Sequence, residues 1–417
     1  MDKIDEKIIK RLARDCKISS GVVQSLALRE STEALVRVRN PLHLGYVERN
    51  FDVVALYPFI RSVAIKCGLK DAVMLERMQE VEYVSAQSKV FALGENDDVA
   101  YGGQQNAGGG RIKPTLQCEN DGIRAQSEAQ SAKNANNTKT KSNEVSQYGM
   151  FSPIPTFDEG LDGKGVTLCV MDTGVCPHLD LSVPKERIVG FVDMVGDESE
   201  PYDDNGHGTF VAGVAAGNGV SSARKNVGVA PKANVLGLKV IDKSGESGTF
   251  RILDGMQWLF DNFRKYNVRV VCMSFGAEPL ERADPLKIGA EMLARSGLIV
   301  VCASGNSGAG SLKSPAISNE VISVGAVDKD MNVASFSSRG VYGGAYRPDV
   351  YSYGVDVVGV QAGGTYSKMS GTSVSAPYVA GACCLLCQKY ARLTPYQAKL
   401  GILNHSIALN GVRVFNV

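Results

Sequence analysis

Ile4, Ile8, Ile9 and Leu12 fall at helical spacing and predict a short amphipathic helix whose apolar face needs a partner. From Glu33 to Leu93 the pattern changes. ALVRVR alternates as a half-buried strand does, FIRSVAIKC reads as a second strand, and LKDAVMLERMQEV before YVSAQ reads as a helix. These elements predict a small α+β unit over 33–93, preceded by a helical extension over 1–32 and marginal in stability by itself. Residues 94–147 contain GGQQNAGGG and AQSEAQSAKNANNTKTKSNE and almost no large apolar side chain. Such a composition cannot bury enough surface to offset the entropy of ordering, and it predicts a flexible linker.

Apolar and turn patterning resumes at about residue 148 and runs to 417. The continuous apolar runs VTLCVMD, ANVLGLKVID, VRVVCMSF, GLIVVCAS and EVISVGAV alternate with helix-like stretches such as GTFVAGVAAG and DPLKIGAEMLARSG. Strands without polar alternation must be covered on both faces, so the expected architecture is α/β, a doubly wound parallel sheet with helices on both sides.

Length and composition narrow the partners. A chain of 417 residues exceeds what one core usually organises. Its 44% apolar and 21% charged residues and net charge of +1 lack the basic excess of a nucleic-acid binder, and no run is long enough to span a membrane. The opening MDKIDEKIIKRLARD mixes charges where a secretory signal would be apolar, and several of the ten scattered cysteines sit within apolar runs such as VTLCVMD and GACCLLC. Buried reduced thiols and no leader give the expectation of a cytoplasmic protein.

Four short motifs could carry chemistry. Asp172 closes the first strong strand within Asp172-Thr173-Gly174; alone, it reads equally well as a turn cap, and no second such triplet supports a two-carboxylate mechanism. His207 lies in NGHGT, where flanking glycines let backbone and substrate approach an imidazole; the other histidines, His43, His178 and His405, have no such setting. Ser373 lies in GTSVSAP at the opening of an apolar helix, where first-turn N–H groups have no intrahelical partner. Asn306, in SGNSG after an apolar strand, has a side-chain amide that could donate to developing negative charge.

The order Asp, His, Asn, Ser and the further motifs GVAP (228–231), MSFG (273–276) and SFSSRG (335–340) resemble the subtilisin family of serine proteases. The resemblance implies an endopeptidase that hydrolyses protein and peptide substrates through an acyl-enzyme intermediate. In it Ser373 is the nucleophile, His207 the general base and acid, Asp172 the orienting carboxylate, and Asn306 with the Ser373 N–H the oxyanion hole. It further implies that Ser274, Phe275 and Gly276 pair with an extended substrate, and that Ala303, Ser304 and Gly305 wall the pocket for the residue before the scissile bond. With no charged residue in SFG or ASG, that pocket is expected to favour large apolar or aromatic side chains. The intact motifs weigh against the alternative of an inactive subtilase-fold binding or regulatory scaffold. The Ser-Asp-His order of α/β-hydrolases excludes that fold.

No cofactor is expected for the chemistry. Asp180 matches a calcium-ligating aspartate of secreted relatives, but the loop NGVSSARKNVGVAP lacks their Asn-rich ligands, so calcium is expected weakly or not at all. Phe210 stands where the family often has a second histidine, which has no part in the triad. The cysteines Cys383, Cys384 and Cys387 are expected in a buried helix rather than around a metal. The close of the upstream unit, MQEVEYVSAQ, resembles the end of a subtilase propeptide, a ferredoxin-like inhibitor and folding chaperone. The chain is thus expected to be an autoprocessed zymogen whose propeptide tail, near SKVFAL, lies in the cleft with Leu93 at the first cleavage position.

Overall fold

The computed structural model describes residues 3–94, 156–280, 282–409 and 411–416. The N-terminal domain begins with α1 (Lys3–Leu12) and α2 (Ser20–Leu28), followed by β1 (Ser31–Val38), α3 (Leu44–Asn50), β2 (Asp52–Tyr57), β3 (Ser62–Gly68), α4 (Leu69–Arg77) and β4 (Val81–Ala86). Its antiparallel sheet runs in the order β2-β3-β1-β4. With two helical connections, this is the ferredoxin-like split βαβ arrangement.

The sequence reading gave neither β2 nor α3. The helical extension expected over 1–32 is also not separate. Leu12, Ile18, Val22, Val23 and Leu26 are buried in one core with Val36, Val63, Leu75 and Val84, and the boundary at 33 falls inside β1. The expected linker lies, apart from Gly94, outside the described residues.

After β4 the chain forms the short strand β5 (Lys89–Ala92). The C-terminal domain then supplies β6 (Thr167–Asp172), α5 (Leu179–Ser182), β7 (Ile188–Asp193), α6 (His207–Ala216), β8 (Asn234–Lys239), β9 (Glu246–Gly248), α7 (Thr249–Asn262), β10 (Val268–Met273), β11 (Phe275–Gly276), α8 (Pro285–Arg295), β12 (Ile299–Ala303) and β13 (Ile322–Val327). Beyond these come the hairpin β14 (Gly340–Tyr342) and β15 (Ala345–Arg347), then β16 (Val350–Tyr353) and the hairpin β17 (Val357–Gln361) and β18 (Thr365–Met369). The last elements are α9 (Thr372–Lys389), α10 (Pro395–His405), β19 (Ile407–Leu409) and β20 (Val412–Val414).

The nine-stranded sheet has the order β19-β20-β16-β13-β12-β10-β6-β8-β7. All its neighbours are parallel except the terminal β19–β20 pair. Fully buried strands such as TLCVMD and ISVGAV explain why the sequence shows no polar alternation there. One face packs on α6 and α9, the other on α7 and α8.

From β6 the chain leads toward β7 on one side, and from the adjacent β10 toward β12 on the other. Their carboxyl ends therefore flank a topological switch point, where open α/β sheets form their clefts.

The two domains meet through α7 and α8. Tyr57 donates its hydroxyl to the Phe250 carbonyl at 3.2 Å, and the rings of Phe59 and Phe260 lie 5.7 Å apart. Leu35, Tyr57, Phe59 and Ile60 share a buried cluster with Leu253, Met256 and Leu286.

Candidate active site

Asp172 is the last residue of β6 and His207 the first of α6, and both are buried. The Nδ1 of His207 lies 2.7 Å from Oδ1 of Asp172, which also accepts the N–H of Thr173 at 2.7 Å. This closeness needs Gly208, because a Cβ there would sit 2.1 Å from the Gly174 carbonyl and 3.1 Å from the Asp172 Cβ. Gly206 takes the left-handed conformation, φ +99°, that starts the helix.

The organiser of this corner is a residue the sequence did not single out. Asp203 accepts Thr173 Oγ1 at 2.9 Å and Gly206 N–H at 2.8 Å on one oxygen, and Thr209 N–H at 2.8 Å and Oγ1 at 2.7 Å on the other. It fixes the strand end and the first turn of α6 to each other. An aspartate in a polar loop gives no sequence signal of such a role.

Ser373 is the second residue of α9 and is buried. Pro377 lies inside this helix and so cannot donate to the carbonyl four residues back. That carbonyl, of Ser373 itself, accepts the Ser274 hydroxyl at 2.9 Å. Across the cleft, Asn306 accepts Thr372 N–H and Oγ1 on its Oδ1, each at 2.9 Å. Its Nδ2 is thereby turned toward Ser373: a methyl built on Gly371 would lie 3.0 Å from Ser373 Oγ and 3.1 Å from Asn306 Nδ2.

The same point lies 2.7 Å from the carbonyl oxygen of Leu93. β5 runs antiparallel between β11 and β9 as the middle of a three-stranded sheet, with Ala92 opposite Phe275 and Val90 opposite Ser247. Leu93 then donates its N–H to the Ser274 carbonyl at 3.0 Å, and its side chain is 4% exposed. A methyl built on the next residue, Gly94, would lie 3.2 Å from Cδ2 of His207. The peptide bond between Leu93 and Gly94 thus has Ser373 and Asn306 about the space at its carbonyl oxygen and His207 beside Gly94.

Of the residues predicted to hold substrate, Ser274 and Gly276 contact this segment through backbone, whereas the ring of Phe275 turns into the core beneath. Ala303 shares a buried cluster with Leu93. Ser304 donates its hydroxyl to the Ser338 carbonyl, and the Gly305 N–H bonds Thr372 Oγ1.

Lys313 is a second residue that the sequence did not single out. Its buried stem passes beside Gly276 and Gly305, so the wall is not free of lysine as SFG and ASG suggested. It follows SGNSG in a loop, and only the folded chain brings its stem back against Gly305 and Gly276.

Asp180 stands apart from this site, and its surroundings do not fit a calcium ion. Donors face its carboxylate: the Ser221 N–H at 2.7 Å and the Tyr366 hydroxyl at 2.5 Å. The guanidinium of Arg187, a fixed cation, binds the carbonyls of Ala216 at 2.8 Å, Ala233 at 2.7 Å and Asp180. No group of three or more His, Cys, Asp or Glu among the described residues is arranged to hold a metal. Calcium would need oxygen ligands where donors and a guanidinium stand.

The subtilase family model matches residues 163–414. Serine protease AprX of Bacillus subtilis (strain 168) is 40% identical over 275 residues, which cover 57% of this chain and 60% of AprX, less than two thirds of that relative's length. Subtilisin Savinase of Lederbergia lenta is 35% identical over 258 residues, 62% of this chain and 89% of the relative. A cold adapted subtilisin-like serine proteinase of known structure superposes with a TM-score of 0.52 at 29% identity, covering 62% of this chain and 90% of that one.

These relatives overturn the expected cytoplasmic location, since they include secreted bacterial subtilisins. The cysteines that suggested it report burial rather than compartment. Burial pushes the thiol of Cys272 up to about 12 and those of Cys302, Cys383 and Cys384 well above their ordinary value, which keeps them unreactive anywhere. Among the described residues no helix is long and apolar enough to cross a membrane. The family match spans more than half of the chain and takes in Asp172, His207, Asn306 and Ser373, and so the chain belongs to the subtilase family.

Proposed function

We propose that this chain is an endopeptidase precursor whose first substrate is its own Leu93–Gly94 bond. The observation that carries the reading is the seating of Leu93, whose carbonyl oxygen shares one small space with Ser373 Oγ and Asn306 Nδ2 while Gly94 lies against His207.

In this reading Ser373 Oγ attacks the Leu93 carbonyl carbon and passes its proton to His207 Nε2. Asp172, 2.7 Å from Nδ1, holds the imidazole in the needed tautomer and stabilises its cation. Negative charge on the Leu93 oxygen is met by Asn306 Nδ2 and by the Ser373 N–H, which lies in the first turn of α9. Collapse expels the Gly94 amine, protonated by His207, and water then releases Leu93 from Ser373.

Other proteins or peptides would enter as β5 does, as an extended strand between β9 and β11, with affinity coming largely from main-chain hydrogen bonds. After the cut, β5 and the domain contacts around Phe59 remain, so the N-terminal domain acts as a propeptide that occludes the cleft until it is degraded. The chemistry needs no cofactor.

Labelling with a fluorophosphonate probe tests the assignment. The wild type, once freed of its N-terminal domain, should be modified at Ser373, and a Ser373→Ala protein should not. Equal labelling of both would remove Ser373 from the mechanism.

A further inference from the structure

Leu93 shows how the pocket for the residue before the scissile bond is built. A Cβ placed on Gly276 would lie 3.3 Å from Leu93 Cδ1 and 2.7 Å from Lys313 Cβ, and one placed on Gly305 would lie 2.6 Å from Lys313 Cγ. The two glycines therefore leave a slot that the lysine stem fills, next to the end of the Leu93 side chain. The lysine is fixed by backbone on both sides. Its N–H bonds the Ser304 carbonyl at 3.0 Å, while Ser314 and Ala277 exchange hydrogen bonds at 2.9 and 3.0 Å.

The charge is handled separately. The Lys313 side chain is 4% exposed, and its ammonium is paired with the carboxylate of Glu278, which is 64% exposed. A buried ammonium with a carboxylate at the rim presents little net charge to the pocket, and its methylene stem presents an apolar surface.

We propose that Lys313 and Glu278 act as a pair that sets specificity at this position. The Lys313 stem limits depth, so that a leucine-sized aliphatic side chain fits and an aromatic ring does not. Glu278 neutralises an ammonium that would otherwise attract an acidic side chain. The proposal rests on the protease reading above, and it replaces the expectation of an aromatic preference.

The test uses enzyme made from the full chain and peptides that differ only in Leu, Phe or Glu before the scissile bond. Ratios of kcat/KM within one enzyme cancel differences in folded fraction. The wild type should favour Leu over Phe by about tenfold, the scale of one or two misfitted methylenes, with Glu the poorest. Lys313→Ala should raise the Phe-to-Leu ratio about tenfold by opening the slot, and Glu278→Gln should raise the Glu-to-Leu ratio about tenfold by releasing the charge. Both ratios staying at their wild-type values in the variants, with Leu peptides still cleaved, would overturn the proposal and leave the protease reading standing. No cleavage of any peptide by the wild type would instead overturn the protease reading, and this proposal with it.

Discussion

Ser274 and Ser373 are joined by a hydrogen bond that a proline makes necessary. The Ser274 hydroxyl donates at 2.9 Å to the carbonyl of Ser373, the one that Pro377, lacking an N–H, cannot pair. Ser274 also accepts the Leu93 N–H on its own carbonyl, so substrate strand and nucleophile helix share one residue. Ser274→Ala leaves a buried carbonyl unpaired and should destabilise the fold by about 1–3 kcal/mol. Adding Pro377→Ala supplies a helical N–H to that carbonyl and should recover part of the loss. Denaturant unfolding of the single and double variants measures this coupling, and strictly additive effects would show that the two residues do not act on the same carbonyl.

Asn306 is aimed by Thr372, which occupies its Oδ1 twice. Asn306→Ala should therefore lower kcat by about 10²–10³ with little change in KM, a magnitude already known for subtilisin. Steady-state kinetics on a peptide substrate would detect it. An unchanged kcat would make Asn306 a turn residue only.

What the sequence made legible follows from range. The continuous apolar strands from Thr167 to Val327 and the small-residue helix after His207 are local patterns, and they stand in the structure as read. Strand β2 and helix α3 were not read, because each buries a single residue, Tyr57 in the strand and Val47 in the helix, and so shows little apolar period. The membership of α1 and α2 in the N-terminal core was hidden because an amphipathic helix does not name the surface it covers. At the proposed site, glycine-flanked motifs singled out Asp172, His207, Asn306 and Ser373, and Asp172 lies 2.7 Å from His207. Asp203 and Lys313 act through contacts that only the folded chain creates, with Thr173 and Thr209 in one case and Gly276 and Gly305 in the other.

Arg187 and Asp180 predict how the fold responds to loss of ions. With donors around the Asp180 carboxylate and a guanidinium on three carbonyls, chelator should leave the melting temperature nearly unchanged. Arg187→Ala strands buried carbonyls and should cost roughly 3 kcal/mol or more. Thermal scans with and without chelator, on wild type and variant, separate the two. A large drop of the wild type in chelator would mean that metal ions stabilise the fold.

The most direct test of the account is the fate of the Leu93–Gly94 bond. Wild type and Ser373→Ala chains are expressed in parallel, and their N-termini are sequenced over time. The wild type should yield a new N-terminus at Gly94, while the variant stays uncut with its N-terminal domain attached. The cut fragment should stay bound and inhibit, since β5 keeps its pairing with β9 and β11. A wild-type enzyme that hydrolyses peptides while its Leu93–Gly94 bond remains intact, or a Ser373→Ala chain cut at the same bond, would contradict the account.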